Sequence, residues 1–303
     1  MKTFKGNDYF PIDEGILSST NTGKASICKE FINKYFKYHK FTYVNPTTIN
    51  AENYDMDFTR IGDTIKIPFT IEECKNLIYC KNLNKIITLP KKAIDVTIKS
   101  CKNLEKIKVN EISKLKSLTI ENCENLNIYE DDLKGLECDE LIIKKCNISS
   151  LKPFNNITTN IIVINCKNLK TFDLEPNNTS IDITIDSCPI DNFNNIKCNK
   201  LELLSLENKS KKIDLQINNC QKLFIEDDDK TAEININGTV QIAVINNCKQ
   251  LQKLSMCDCK KTLSLVDLPE LEEYNFPQRF SGSVILDNVK ITPIINCKKI
   301  IKR

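Results

Sequence analysis

Cysteine is the residue with the most chemical potential in this chain, and its placement is periodic. There are fifteen cysteines against a single histidine, His39. Thiols in such number can build a disulfide framework, a metal centre or a nucleophile. Most stand in one slot of a repeated phrase: VTIKSCKNL ends at Leu104, LTIENCENL at Leu126 and LQINNCQKL at Leu223. Cys74, Cys101, Cys123, Cys146, Cys166, Cys188, Cys220, Cys248 and Cys297 fill the slot. Disulfide frameworks belong to small secreted chains, and no apolar leader opens this one, so free thiols in a reducing cytoplasm are expected. One histidine cannot supply a usual zinc set, and Cys257-Asp-Cys259 lacks a second pair at ligand spacing. The acidic runs Glu130–Asp132 and Glu226–Asp229 lack the spaced carboxylates of a calcium loop and read as solvated loops. No phosphate-binding glycine motif and no G-x-S-x-G is present. The chain therefore reads as non-enzymatic, with no cofactor, no metal and no small-molecule substrate expected.

The elements that carry the thiols follow from what precedes each one. Apolar residues lie five and three positions before the slot: Val96 and Ile98, Leu118 and Ile120, Leu141 and Ile143, Ile161 and Val163, Ile183 and Ile185, Leu215 and Ile217. Such alternation marks a short strand with one buried face. The phrase returns about every 22 residues, a period that means stacked repeats rather than one globular core. A bend after each strand needs a small, readily buried side chain that tolerates nearby backbone polar groups, and cysteine meets all three needs. Cys101, Cys123, Cys146, Cys166, Cys188, Cys220 and Cys248 are accordingly assigned a structural role. Leu268 and Val289 take the slot in two coils. The interval from Cys188 to Cys220 fits neither one turn nor two, so Leu201–Ser210 is expected as an irregular turn and 224–240 as an outward loop.

The string LxxLxIxxCxxL, clearest in LKSLTIENCENL (Leu115 to Leu126), resembles the cysteine-containing leucine-rich repeat, and Leu89-Pro90 before a strand adds to the likeness. The resemblance covers roughly residues 67 to 303, in about ten repeats, and its AT-rich character is similar to the leucine-rich-repeat genes of insect poxviruses. It implies a repeat solenoid with a parallel sheet on a concave face and mostly irregular convex connections. It also implies protein recognition as the function, of a host protein in host cytoplasm if the source is viral. Ile replacing Leu and the uneven repeat lengths depart from the pattern. A parallel β-helix, which would admit a polysaccharide-active enzyme, is the structural alternative. Absence of Trp argues against the aromatic platforms of such an enzyme.

Residues 1–66 lack the period. A stripe of Ile27, Phe31, Ile32, Tyr35 and Phe36 predicts a helix, and TRIGDTIKI predicts a short hairpin. An end coil needs its core and strand edge covered, so this segment is expected to be a helical N-terminal cap. PIDEGIL followed by Cys28–Phe31 resembles an F-box, which implies a ubiquitin-ligase adaptor, although the apolar segment between the two pieces is replaced by SSTNTGKAS. Net charge is +3, with 43 basic and 40 acidic residues, which gives no reason to expect nucleic acid. No run is long enough to predict a membrane span.

In the repeat reading, residues between the buried strand positions point outward to a partner. The candidates are Lys99, Glu121, Ile142, Lys144, Ile162, Ile164, Asp186 and Asn218. Ile142, Ile162 and Ile164 form an apolar centre, with lysines toward one end and Asp186 toward the other. A protein partner with a complementary gradient is expected there.

Overall fold

A computed structural model describes residues 30–36, 42–45, 48–59, 67–81, 84–177, 179–190, 192–207, 209–276, 279–290 and 296–302. The chain folds as a β-solenoid of about 11 turns with little helix. Its contacts separate two compact units, Met1–Asp139 and Glu140–Arg303.

The first unit contains β1 (Thr42–Asn45), β2 (Thr48–Asp57), β3 (Thr70–Cys80), β4 (Ile86–Thr88), β5 (Lys92–Lys99), β6 (Lys106–Lys108) and β7 (Ser113–Glu121). Its main sheet runs β1-β2-β3-β5-β7, with β4 and β6 paired apart from it. All these pairings are parallel except β1 with β2. The unit boundary falls inside β8 (Leu136–Lys144). The second unit holds β9 (Ile157–Ile164), β10 (Thr171–Phe172), β11 (Asp182–Asp186), β12 (Asn192–Leu204), β13 (Lys212–Glu226), β14 (Glu233–Asn246), β15 (Lys253–Leu268), β16 (Glu273–Asn275), β17 (Arg279–Val289) and β18 (Asn296–Lys302). Its order is β9-β11-β12-β13-β14-β15-β17-β18, with β10 against β12 and β16 against β15.

Each coil repeats one local logic. A strand buries two residues of its inner face, such as Val96 with Ile98 or Ile183 with Ile185, all at 0% exposure. The next outward residue is followed by one in the left-handed region, and the slot residue comes after that. Lys81, Ser100, Asn122, Lys145, Asn165, Ser187, Ser205, Asp227, Asn247, Asp267 and Asn288 hold this left-handed position, with φ between 46° and 57°. The conformation turns the chain inward while the amide stays on the ladder. Ser100 N–H donates to Glu121 O at 2.8 Å, and Asn165 N–H to Asp186 O at 2.9 Å. Left-handed backbone disfavours ordinary side chains, and Asn tolerates it best after Gly. Four of these positions are Asn, which gives a structural reason for part of the chain's Asn richness.

The left-handed residues reset the register of the middle coils. Leu206 and Asp228 are slot residues, so the interval from Cys188 to Cys248 holds three coils. The expected irregular turn at Leu201–Ser210 begins as strand: Leu201 and Leu203 are buried inner residues of β12. The expected loop at 224–240 is the end of β13, one bend and the start of β14. Cys220 lies outside the slot. It sits at a corner within β13, opposite Cys198 on one side and Val240 on the other, and Val240 faces Cys259. Cys74 occupies a similar mid-strand position, opposite Ala51.

Where the leucine-rich-repeat likeness implies irregular convex connections, β12 to β15 instead continue as strands through the corner. Their register shifts by a bulge, for example between Ile217 and Cys220. Gly238 answers Ile217 at that bulge with φ +115°, and a Cβ there would stand 2.1 Å from the Ile217 carbonyl oxygen. Only glycine fits.

In the expected cap, a helix covers residues 30–35, and Phe31, Ile32 and Phe36 are buried. Phe36 packs edge-on against Phe58 at 5.4 Å, and Phe31 against Phe69 at 5.7 Å. β2, from the same segment, already pairs in parallel with β3. Ile27, His39, PIDEGIL and most of TRIGDTIKI lie outside the described residues. Among the described residues, no helix is long and apolar enough to cross a membrane.

Candidate binding face

The slot thiols point into the coil. Cys101, Cys123, Cys166, Cys188 and Cys248 are all at 0% exposure and Cys146 is at 4%. Each donates its S–H to the carbonyl two residues earlier, at 3.2 Å in Cys146 to Lys144 O and 3.4 Å in Cys123 to Glu121 O. The thiol adds a second donor to a carbonyl that already accepts an amide of the adjacent coil, as Glu121 O accepts Ser100 N–H. Burial pushes Cys248 up to about 12, so it stays a neutral thiol. At the corner, Cys198 donates to the Cys220 sulfur at 3.7 Å, and that bond together with burial holds Cys198 protonated. Neutral buried thiols are poor nucleophiles and poor metal ligands. Among the described residues, no group of three or more His, Cys, Asp or Glu is arranged to hold a metal ion.

The acidic run at 226–229 is solvated only in part: Asp227 and Asp229 are exposed, while Glu226 ends β13 half-buried. Asp228 takes the slot and is fully buried. Its carboxylate accepts from Lys230 N–H at 3.0 Å, Thr231 N–H at 3.1 Å and the Thr231 hydroxyl at 2.5 Å. Asp and Thr here replace the Cys and Leu of CxxL, and the side chain closes a turn that the backbone closes elsewhere, as in Leu251 N–H to Cys248 O at 3.1 Å. In the other run, Glu130–Asp132 is a short 3-10 turn with Glu130 and Asp131 exposed.

The outward positions of the second unit form a lattice of two rows. One row, in register, reads Ile162, Thr184, Glu202, Phe224, Val244, Ser264 and Ile285. The next row reads Ile164, Asp186, Leu204, Glu226, Asn246, Val266 and Asp287. All are half-buried. Neighbours stand about 4.8 Å apart across strands and about 6.5 Å apart along them. The rows bring Ile162, Ile164 and Asp186 onto one face, and Ile142 and Lys144 hold half-buried outward positions on β8. Lys99 and Glu121 belong to the first unit, where they pair at 3.0 Å between adjacent strands.

Asn218 is off this face. It is exposed at the β13 corner, where its side-chain amide donates to Asn195 Oδ1. The resetting of register that removes Asn218 brings in Glu202, Leu204, Phe224 and Glu226. The signal for them is present in the sequence: Leu201/Leu203 before Leu206, and Leu223/Ile225 before Asp228, carry the same apolar spacing as the cysteine coils.

Charge on the face is unevenly shared. Glu202 accepts from the Thr184 hydroxyl at 2.9 Å and from Lys200 Nζ at 3.1 Å, while Lys200 Nζ also stands 5.3 Å from the centre of the Phe224 ring. Burial, then the nearby Glu202 and Asp227, push the Glu226 carboxyl above its ordinary range. The two rows thus mix apolar and acidic side chains: Ile162 and Ile164 are separated by Thr184 and Asp186 from Leu204, Phe224, Val244 and Val266, among which Glu202 and Glu226 are interspersed. Such a lattice suits contact with an extended surface rather than enclosure of a small molecule. No family model, no curated protein and no solved structure matches this chain.

Proposed function

We propose that this protein is a non-enzymatic recognition scaffold whose second unit binds a protein partner through the outward face of β9 to β17. The observation that carries the reading is the set of half-buried apolar side chains on one face: Ile162 and Ile164 on β9 and, beyond the polar Thr184 and Asp186 of β11, Leu204, Phe224, Val244 and Val266 on the four adjacent strands β12 to β15. Apolar side chains left accessible on adjacent strands of one face favour contact with another surface. Ile142 and Lys144 hold half-buried outward positions on the neighbouring strand β8. A cytoplasmic setting is supported by the free thiols of every cysteine among the described residues. A helical cap is supported by the burial of Phe31, Ile32 and Phe36, and a leucine-rich-repeat origin by the CxxL turns.

The test is the double variant Ile162→Asp with Ile164→Asp, alongside a photo-cross-linking residue placed at Leu204. In cells that express the protein, the cross-linker should capture one discrete partner, and the double variant should lose it while unfolding at the same temperature as the parent. If the double variant unfolds, these isoleucines serve the core and the face is misassigned.

A polysaccharide-active reading draws on one observation, the outward carboxylates Glu202 and Glu226 on adjacent strands beside Phe224. Turnover on a panel of glycans, lost in Glu226→Gln, would establish it over the scaffold.

A further inference from the structure

From β13 onward a third outward row lies beside the two described above. In register it reads Lys222, Ile242, Thr262, Ser283 and Lys299. β15 carries one extra residue at this margin, so Lys260 and Lys261 together oppose the single Gln241. Lys222, Lys260, Lys261 and Lys299 are all exposed. The middle row, Phe224, Val244, Ser264, Ile285 and Ile301, is half-buried and apolar at every position but one. The far row places Glu226 and Asp287 on the opposite margin, with Asn246 and Val266 between them. Cations therefore line one margin, apolar side chains the centre and carboxylates the other margin.

These charges are not consumed inside the chain. Elsewhere lysines meet carboxylates of adjacent coils, as Lys253 meets Glu273 at 2.8 Å and Lys114 meets Glu137 at 3.0 Å. Among the described residues, no ion pair or side-chain hydrogen bond engages Lys222, Lys260, Lys261, Lys299, Glu226 or Asp287. The strip also has the dimensions of one helix. Alternate residues of a strand lie about 6.5 Å apart, so three rows are about 13 Å wide, against about 10–12 Å for a helix with its side chains. Five strands cover about 19 Å, the length of about 13 helical residues, and one helical turn of about 5.4 Å advances by roughly one strand. The backbone groups of β13, β14, β15 and β17 are engaged in the ladder on both sides, so an extended peptide laid on this face finds no backbone partners. A helix satisfies its own. The carboxylate margin disfavours a polyanion such as nucleic acid.

We propose that the partner of this face presents an amphipathic α-helix laid across β13 to β18. Its apolar stripe rests on Phe224, Val244 and Ile285, its acidic flank faces Lys222, Lys260 and Lys261, and its basic flank faces Glu226 and Asp287. The inference rests on the binding reading given above and names the element that the partner contributes. The stripe supplies the apolar contact, and the flanks fix the direction of the helix, because reversing it sets like charges together.

Three helical peptides of about 16 residues share one leucine stripe and differ in their flanks: glutamate on one and lysine on the other, lysine on both, or glutamate on both. Each is titrated into the full chain carrying labelled isoleucine and valine methyl groups, followed by NMR. The mixed peptide should bind about tenfold more tightly than either of the others and should move the Val244, Ile285 and Ile301 methyl signals. Lys222→Glu combined with Lys260→Glu should reorder the set, so that the peptide with lysine on both flanks binds best. Both lysines are exposed, so circular dichroism should show that variant folded. Exchanging the two flanks of the mixed peptide should turn it end for end, so a nitroxide at its N-terminus broadens Val244 most in one case and Ile301 most in the other. Equal binding of the three peptides, an order unchanged in the double variant, a nitroxide that broadens the same end in both cases, or no response to any peptide would each overturn the proposal. Should the Leu204 cross-linker capture a partner while every peptide fails, the face holds that partner by another element and only the helix is lost.

Discussion

Asp228→Ala should destabilise the second unit more than the loss of any exposed carboxylate. Asp228 is at 0% exposure, and so is Thr231, whose amide and hydroxyl it accepts at 3.1 and 2.5 Å; Lys230 N–H adds a third bond at 3.0 Å. Hydrogen bonds to a charged acceptor contribute about 1.5–3 kcal/mol each, and burying the aspartate itself offsets part of that. Balancing three bonds against that desolvation gives a net cost of about 3–5 kcal/mol for alanine. Asn keeps one acceptor oxygen, so Asp228→Asn should cost about half as much. The neighbouring Asp229 is the control: it is exposed and stands 4.0 Å from Lys249 Nζ at the surface, so Asp229→Ala should cost less than about 0.5 kcal/mol. Urea unfolding followed by circular dichroism gives the energies. Because coils in a solenoid touch mainly their neighbours, amide exchange should speed up in β13 and β14 while β5 and β7 keep their protection. If Asp228→Ala falls within about 1 kcal/mol of Asp229→Ala, the claim that a buried Asx turn replaces the cysteine bend is wrong.

Other consequences can be checked independently. In the native protein Cys257, the exposed thiol, should react rapidly with a maleimide, while Cys101, Cys123, Cys166, Cys188 and Cys248 resist until the chain unfolds. Burial raises Cys74 and Cys248 from 9.0 to about 12, so the folded state holds protons that the unfolded chain releases. That stabilisation is complete below pH 9 and is lost as pH rises toward 12, by at most about 1.4 kcal/mol per pH unit for each thiol; urea midpoints at pH 8, 9 and 10 should fall in that order. Gly238→Ala must place a Cβ 2.1 Å from a backbone oxygen and should cost at least about 2 kcal/mol or abolish soluble expression. Lys145→Asn, at φ 51°, should raise stability by about 0.5 kcal/mol, and an equal or lower melting temperature would contradict the left-handed bend at that position.

The coil strands were legible from residue types alone. The buried pairs Leu118/Ile120 and Ile161/Val163 lie where the apolar alternation puts them, because a strand with one dry face must alternate. The outward face of the second unit was legible in part: Ile162, Ile164 and Asp186 followed from the same alternation, whereas Leu204 and Phe224 were hidden by the absence of cysteine from their coils. A slot defined by one residue type misses Leu206 and Asp228, which meet the same steric need with different chemistry. The ion pairs of Lys91 with Glu72 and Glu111 in the first unit could not be seen at all, since the three residues fall on three coils and converge only when these stack.

By itself, the sequence determined that the chain coils, with what period, and which side of each strand is dry. Those properties follow from spacing along one strand. Only the tertiary structure decided which cysteines share a column. Leu215, Ile217 and Cys220 carry the same spacing as Ile183, Ile185 and Cys188, yet one set leads into a mid-strand corner and the other into a left-handed bend. Local alternation cannot separate those outcomes, because both present small buried side chains after two inward ones. Hydrogen-bonded register separates them: Cys220 is set opposite Cys198 and Val240, and Asp227 donates its amide to Asn246 O at 3.1 Å, so the bend falls eight residues beyond where the thiol alone places it.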